Sequence, residues 1–242
     1  MAAGTLFIVA TPIGHPHDIT LRALDTLRTV DAVVCEEARP GSTLLKKYDI
    51  QKPLVLLNEH NEKQAIPDIV ARLSGGENLA LISDCGTPVF ADPGLSLLNA
   101  LEECGIKVIP IPGPASLTAA ISVCKYDLSQ FVFGGFLPRE TQERRRALAA
   151  LQATRLPIIL MDAPYRLKQL LEDTASVFGN AQLAMLGCDL TLPGEKIIHG
   201  SLRSVIDQTI GKKCEFVLIV AGHDPAGQRK HQRTTRSGKR CQ

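Results

Sequence analysis

Residues 83–94 read Ser83-Asp-Cys-Gly-Thr-Pro-Val-Phe-Ala-Asp-Pro-Gly94, and this stretch decides how the chain is interpreted. It follows an apolar segment of strand length, 78–83, and precedes apolar residues at helical spacing over 95–101. Its two glycines permit unusual backbone angles, and its two prolines fix φ, Pro93 at a position that a first helical turn accepts. Ligands bind at the carboxyl ends of strands in open α/β sheets, so the sequence favours a rigid ligand-binding loop over a purely structural turn.

Strands and helices alternate on both sides of this loop. Apolar segments at 6–10, 31–35, 54–57, 78–83 and 107–111 are separated by helical patterns, which predicts an α/β domain over residues 1–124 with a mostly parallel sheet. Residues 125–129 resemble a linker. Shorter strands and fewer crossovers predict a second α/β domain over 125–224 with a mixed sheet.

Composition narrows the class of protein. No apolar run within the 242 residues reaches the roughly 20 residues of a membrane span, so no membrane contact is expected. The first apolar segment has no basic region before it and is interpreted as a strand, not a signal peptide. The seven cysteines are scattered without a C-x-x-C pair, which argues against a metal site or disulfide framework and favours a cytoplasmic location.

The net charge of +2 is unevenly distributed. Residues 225–242 are polar and aperiodic and contain six cations but no acid, so this tail is interpreted as disordered. A basic arm on a mildly acidic body suggests contact with a nucleic acid, and a tail that only aids solubility is an equal alternative.

Charged side chains follow two of the predicted strands. Glu36 follows 31–35, and Glu59 and His60 follow 54–57. These three are candidate acid/base groups, although each could orient substrate instead, and His60 could simply cap the next helix. Farther along, the run 144–146 of three arginines is partly solvated, with a phosphate-binding role for at least one of them as the alternative.

The chemistry suggested by the loops is that of a ligand held by backbone groups. The sequence contains no Ser/His/Asp arrangement, metal cluster or Walker loop, and 11–14 has one glycine where a phosphate-binding G-x-G-x-x-G would have three. Loops built from Pro, Gly, Ser and Thr suit a largely apolar pocket. A sulfonium methyl donor fits such a pocket, and the residues alone leave other cofactors open.

Five segments together resemble one known family. They are 10–14 with 18–24, 59–62, 83–94, 110–114 and 135–139. The resemblance is to ribosomal RNA small subunit methyltransferase I, among the tetrapyrrole methylase (class III) S-adenosylmethionine methyltransferases. It implies two α/β domains with the cofactor in a cleft between them, a homodimer, and 2′-O-methylation of a cytidine ribose in 16S ribosomal RNA.

The resemblance also implies which residues form the site. Those expected to bind S-adenosylmethionine are Pro12, Ile13, Asp84, Gly86, Thr87, Val89, Phe90, Ala115 and Ser116, with Met161, Gly187 and Phe216 from less specific segments. No metal is expected. Arg39, Arg139 and the basic tail are expected to hold phosphates of the RNA.

Some segments depart from the family pattern. Residues 188–192 read Cys-Asp-Leu-Thr-Leu where the family usually has Arg-Glu-Leu-Thr-Lys. Two alternatives therefore stay open: a paralogue that methylates a small tetrapyrrole-like molecule, and a cofactor-binding protein without catalysis. Residues 11–14 argue against the paralogue, because relatives that methylate small molecules usually have a glycine-rich loop at this position.

Overall fold

Five parallel strands form the sheet in the first half of the chain, within the residues that this computed structural model describes, 2–90 and 94–222. They are β1 (Thr5–Val9), β2 (Ala32–Cys35), β3 (Leu54–Leu56), β4 (Leu79–Leu81) and β5 (Lys107–Ile111), in the order β3-β2-β4-β1-β5. Leu6 of β1 pairs with Leu79 of β4 on one side and with Val108 of β5 on the other. The predicted parallel α/β sheet is confirmed.

Helices cover both faces of this first sheet. They are α1 (Leu21–Thr29), α2 (Ala38–Lys47), α3 (Glu62–Ser74), α4 (Leu95–Glu103) and α5 (Ser116–Ser122). Ile69 of α3 and Leu97 of α4 pack into the core on one face, and Leu27 of α1 and Leu45 of α2 pack into the core on the other. Because both faces are buried, the strands are apolar without polar alternation, which is typical of parallel sheets.

The sequence predicts a short helix from Ser42 to Lys47 after β2, but the helix begins four residues earlier, at Ala38. Pro40 lies in the first turn of this helix. Backbone amides of a first turn have no acceptor within the helix, so a proline there costs no hydrogen bond. Gly41 is needed because a Cβ there would lie 2.9 Å from the Sγ of Cys35. Pro40 and Gly41 are thus both compatible with the first turn of α2, and the glycine lets this helix pack closely on β2.

The second half of the chain contains a mixed sheet, as the sequence predicts. Its strands are β6 (Val132–Gly135), β7 (Ile158–Asp162), β8 (Leu183–Cys188), β9 (Lys196–Ser201) and β10 (Phe216–Val220), in the order β6-β7-β10-β8-β9. β6 and β7 are parallel, whereas β10 pairs antiparallel with β7 and β8, and β9 pairs antiparallel with β8.

Helices α6 (Thr141–Ala153), α7 (Leu167–Phe178) and α8 (Leu202–Thr209) pack on one face of this second sheet. Their side chains, such as Leu148 and Leu171, join Leu160 and Leu218 of the strands in one core. Serine is a favoured residue before a helix, so the sequence predicts Ser201 as a cap, and Ser201 caps α8 by accepting a 3.2 Å hydrogen bond from the Ser204 amide.

The chain divides into two compact units between Ala119 and Ala120, inside α5. The sequence-based boundary, 124/125, lies a few residues later. In the parts of the chain described here, no helix is both long and apolar enough to cross a membrane. The predicted helix-start role of Pro93 and the basic tail 225–242 lie outside the described residues.

Candidate functional site

Three loops meet at the carboxyl edge of the first sheet. They follow β4, β1 and β5, which are consecutive neighbours in the sheet. The chain leaves β1 towards β2 in one direction and β4 towards β5 in the other, so the strand order reverses at this point. Open α/β sheets bind ligands at such a switch point. Residues 83–90 of the loop therefore lie at the position where the sequence predicts a ligand site.

Hydrogen bonds join the first two loops. The Thr11 amide donates to the Gly86 carbonyl at 2.8 Å, and the Gly86 amide donates back to the Thr11 carbonyl at 3.1 Å. The Thr11 hydroxyl is buried and lies 3.3 Å from the Ser83 carbonyl. These bonds hold the loop after β4 against the loop after β1 before any ligand arrives.

The loop after β5 is joined to the loop after β4 by a side chain. Thr87 donates its hydroxyl to the Pro114 carbonyl at 3.2 Å. The Ala10 amide donates to the Ile111 carbonyl at 3.1 Å, which ties the loop after β1 to the end of β5. Ala115 and Ser116 follow directly, and Ser116 is the first residue of α5. All nine cofactor residues expected in this half of the chain therefore lie in three mutually bonded loops.

Gly86 lies close to both of the other loops. Its φ is +80°, and a Cβ added there would be 3.3 Å from the Ile13 Cγ2 atom and 3.9 Å from the Pro114 carbonyl oxygen. Any side chain at this position would press on the loop after β1. Glycine therefore provides the backbone conformation and avoids a tight contact with the loop after β1.

Val89 has the same kind of backbone conformation without being a glycine. Its φ is +68°, a region that β-branched residues rarely occupy. The side chain packs against the core formed with α3 and α4, and a Cβ on Gly94 would lie 3.1 Å from its Cγ2 atom. Packing of the side chain thus holds a strained backbone in the ligand loop.

Carboxylates surround the strand ends next to these loops. Partial burial raises the pKa of the Asp84 carboxyl, and the Glu37 carboxylate raises it further. Sequence reasoning assigned no catalytic role to Glu37, because nothing in the pattern shows that it faces Asp84. Burial, and then Asp84, also raise the pKa of the Cys35 thiol to about 11, so this thiol stays neutral and unreactive.

The candidate acid/base residues lie at different distances from the loops. Glu36 directly follows β2, which is the neighbour of β4. Glu59 and His60 are exposed beyond β3, one strand farther away, and the His60 amide donates to the Asn58 side chain at 3.1 Å. At about 4.8 Å per strand, Glu36 and Glu37 leave the sheet nearer to the ligand loops than Glu59 and His60 do.

Met161 and Gly187 lie on the same face of the second sheet. Both pair with Val217 of β10, Met161 from β7 and Gly187 from β8, so they flank one position in adjacent strands. Phe216 is next to Val217, and its buried side chain belongs to the core beneath the helices, on the opposite face. The side chain of Phe216 therefore does not share the face of Met161 and Gly187, although its backbone lies beside them.

The arginines predicted to bind phosphate are exposed, whereas Arg144 of the arginine run is buried. Arg39 and Arg139 are exposed. Arg144 is only 2% exposed, and its Nε donates to the buried Asp173 carboxylate at 2.7 Å. Arg145 donates to the same carboxylate from the surface. Because its guanidinium is bound inside the protein, the first arginine of the 144–146 run is structural and does not bind phosphate.

Other parts of the described structure offer less. No group of three or more His, Cys, Asp or Glu side chains within residues 2–90 and 94–222 could hold a metal ion. An open depression of about 430 Å³ lies between α2 and β3, lined among others by Ser42, Lys46 and Lys52. It contains none of the predicted site residues, so the bonded loops remain the best candidate.

A family profile and individual relatives of known name agree on one family for this chain. The Tetrapyrrole (Corrin/Porphyrin) Methylases profile matches residues 5–206. A ribosomal RNA small subunit methyltransferase I from Xylella fastidiosa is 40% identical over 223 residues, covering 90% of this chain and 82% of that protein. The protein of the same name from Thermotoga maritima is 38% identical over 226 residues, covering 91% and 100% of the two chains.

The fold also has solved counterparts. A crystal structure of diphthine synthase superposes with a TM-score of 0.73 at 16% identity, covering 90% of each chain. At this level of identity the likeness concerns the fold alone.

Proposed function

The chain belongs to the ribosomal RNA small subunit methyltransferase I family of tetrapyrrole methylases, and we propose that it methylates the 2′-oxygen of a cytidine ribose in 16S ribosomal RNA. It is a methyltransferase, and its cofactor is S-adenosylmethionine, which supplies an electrophilic methyl group on a positively charged sulfonium. The observation that carries the RNA substrate is the 38–40% identity to relatives that bear this name.

The residues of the first unit fit this cofactor. Thr11, Gly86 and Thr87 fix the three loops in place, and Gly86 leaves the space that a side chain would fill. A site that is already ordered loses little conformational entropy when the donor binds, and it holds the methyl group in one direction. The Asp84 carboxylate adds negative charge at the edge of the loops, which favours a cationic ligand.

The acceptor hydroxyl must lose its proton as the oxygen–carbon bond forms. Glu36 is the candidate base that we place first, because β2 is adjacent to β4, and Glu59 and His60 are the alternatives. A carboxylate in this role would orient the hydroxyl and receive its proton late in the transfer. Arg39 and Arg139 would each hold a phosphate of the RNA.

We further propose that the protein acts as a homodimer in the cytoplasm, where its ribosomal substrate is made. Both statements rest on the family resemblance. Sedimentation of the purified chain would test the first, and a monomer at micromolar concentration would contradict it.

A transfer assay tests the proposal directly. The purified full chain is incubated with methyl-labelled S-adenosylmethionine and small ribosomal subunits that lack the modification. Label should appear in 16S RNA, at the ribose of a single cytidine, and should be stable to conditions that remove base methyl groups. Replacing Glu36 with Gln should lower the rate with donor affinity unchanged, and Glu59→Gln serves as the matched comparison.

The other outcomes separate the alternatives. Label in a small tetrapyrrole-like acceptor, with none in RNA, would favour the paralogue. Donor binding by calorimetry without transfer to any acceptor would favour a binding protein, which the altered 188–192 segment suggests. Failure to bind the donor even at millimolar concentration would overturn the cofactor assignment itself.

A further inference from the structure

Two large aromatic side chains are exposed at one edge of the second sheet. Phe136, which is 53% exposed, follows β6, and Tyr165, which is 65% exposed, lies in the short 3-10 helix Pro164–Arg166 after β7. β6 and β7 are parallel neighbours, with Gly135 paired to Leu160. The segments that carry the two rings therefore leave the sheet side by side, from the carboxyl ends of adjacent strands.

The backbone after Phe136 is immobilised by two arginines from within the protein. Arg166 donates from Nη2 to the carbonyls of Leu137 at 3.0 Å and Pro138 at 2.9 Å. Arg144 donates from Nη1 to the carbonyls of Pro138 at 3.1 Å and Arg139 at 2.7 Å. Three successive carbonyls are thus bound by guanidinium groups, and Arg166 belongs to the same 3-10 helix as Tyr165.

Both guanidinium groups are themselves fixed. Arg166 forms a 3.0 Å ion pair with Asp162 at the end of β7, and Arg144 pairs with the fully buried Asp173 of α7. On the other side of Phe136, Gly135 has a φ of +60°, which turns the chain as it leaves β6. The ring of Phe136 is therefore carried by a rigid segment, not by a loop that could fold it onto the core.

Such an arrangement is unusual for a surface without a partner. Burying an aromatic ring stabilises a fold. A buried ion pair seldom stabilises a fold more than apolar side chains packed in its place would. Here buried ion pairs hold a loop in a shape that leaves two rings in solvent. Clustered exposed apolar side chains on a rigid support mark interaction surfaces.

The charge next to the rings indicates the chemistry of the partner. Arg139 is exposed three residues after Phe136, and within the described part of the chain no ion pair holds its guanidinium. Aromatic rings beside an arginine form the surface on which proteins stack unpaired bases while pairing with the neighbouring phosphate.

We propose that Phe136 and Tyr165 form a stacking platform for unpaired bases of the substrate RNA, with Arg139 on the adjoining phosphate. The inference rests on the proposed RNA substrate and adds to it the surface that holds the strand. Arg144 and Arg166 are positioning residues for this platform, because they bind the loop and not the RNA.

Kinetics with matched variants test the platform. Phe136→Ala and Tyr165→Ala should each raise KM for small ribosomal subunits by about tenfold, the usual effect of losing one stacked base, while the affinity for the methyl donor stays unchanged. Tyr165→Phe should behave like the wild type, because stacking uses the ring and not the hydroxyl. Phe131→Ala is the control: Phe131 is 37% exposed and lies at the opposite, amino end of β6.

Fluorescence gives an independent readout, because the chain contains no tryptophan. Phe136→Trp places a single tryptophan on the platform, and Phe131→Trp places one at the control position. A short single-stranded cytidine oligoribonucleotide should quench the first through base stacking and leave the second unchanged. Equal quenching at both positions, or none at Phe136→Trp, would overturn the proposal.

The outcomes separate this inference from the proposed function. If the wild type methylates RNA but KM of Phe136→Ala and Tyr165→Ala is unchanged, the platform is wrong and the function stands. If the wild type transfers no methyl group but Phe136→Trp is still quenched, the base contact stands and the reaction is wrong. If the Phe136→Ala and Tyr165→Ala variants lose self-association on sedimentation, with RNA kinetics unaltered, the surface binds a second copy of the chain and not RNA.

Discussion

Gly86 and Val89 both have positive φ in the loop after β4, but only the glycine could be expected from the sequence. The glycine at 86 is visible in the sequence as a turn residue, and the structure adds two reasons for it, a φ of +80° and the Ile13 methyl at 3.3 Å from a would-be Cβ. The positive φ of Val89 has no sequence signature at all, because valine ordinarily favours extended backbone. Its conformation is imposed by packing against residues far along the chain.

We expect Gly86→Ala to weaken donor binding. The substitution adds a methyl group at a φ of +80° and directs it at Ile13, so it should displace the loop after β1. Gly105→Ala is the matched control, since Gly105 has a φ of +65° with nothing within 4 Å of its would-be Cβ. Both variants should lose about 1 kcal/mol of stability, and Gly86→Ala alone should lose roughly tenfold in donor affinity by calorimetry.

Unchanged donor affinity in Gly86→Ala would contradict the assignment of the three loops as the cofactor site. Equal losses of affinity in both glycine variants would mean that the effect is one of global stability. Thermal unfolding of each variant separates the two explanations.

The adjacent arginines on α6 differ in burial, and the sequence does not reveal this difference. Arg144 and Arg145 are adjacent and contact the same carboxylate, but the first is buried and the second is 51% exposed. Burial alone would raise the pKa of Asp173, but hydrogen bonds from Arg145, Arg144 and Gln169 outweigh it and lower the pKa. Asp173 is on α7, 29 residues beyond Arg144, so sequence periodicity could not have revealed the pair.

Arg144→Ala and Arg145→Ala should therefore differ sharply in stability. Removing Arg144 leaves a fully buried carboxylate with only the exposed Arg145 and Gln169 as partners and takes away the side-chain donor to the Arg139 carbonyl, which should cost about 3 kcal/mol. Removing Arg145 should cost about 1 kcal/mol or less, because its own side chain is half exposed. Urea unfolding followed by circular dichroism measures both, and equal destabilisation would contradict the structural role of Arg144.

Elements built from regular apolar patterns could be predicted from the sequence, and those set by close packing could not. The strands of both sheets and the mixed pairing of the second follow from apolar segments and turn residues. The start of α2 does not, since Pro40 and Gly41 resemble a loop until the 2.9 Å approach of Cys35 to a would-be Cβ explains them. The same holds for Phe136, which resembles any strand-terminal aromatic until its exposure is known.

At the scale of the whole chain, the expected cofactor residues divide between two units. Nine are in the three loops of the first, where hydrogen bonds join them, and Met161, Gly187 and Phe216 are in the second. The resemblance supplied all of these positions. Sequence pattern alone supplied the loops after β4 and β5 but neither the link between Asp84 and Glu37 nor the face that each second-unit residue occupies, because both depend on neighbouring strands.

The basic tail gives the prediction that concerns the whole molecule. Binding of the RNA should weaken with salt, and deleting residues 225–242, which contain six cations, should reduce the slope of log affinity against log salt by up to about four. A variant that keeps the length but replaces the six cations with glutamine should match the deletion. Filter binding over a salt series measures the slope, and an unchanged slope would mean that the tail does not contact RNA.

The order of strands in the first sheet has a consequence for synthesis. β1 precedes both of its partners in the chain, so one of its edges stays unpaired until β4 has been made and the other until β5 has been made. Pairing between such distant segments is slow and leaves apolar edges open to aggregation. During synthesis the edge of β1 that pairs with β5 therefore stays exposed longest, and chaperones would matter most for the yield of the first unit at this stage.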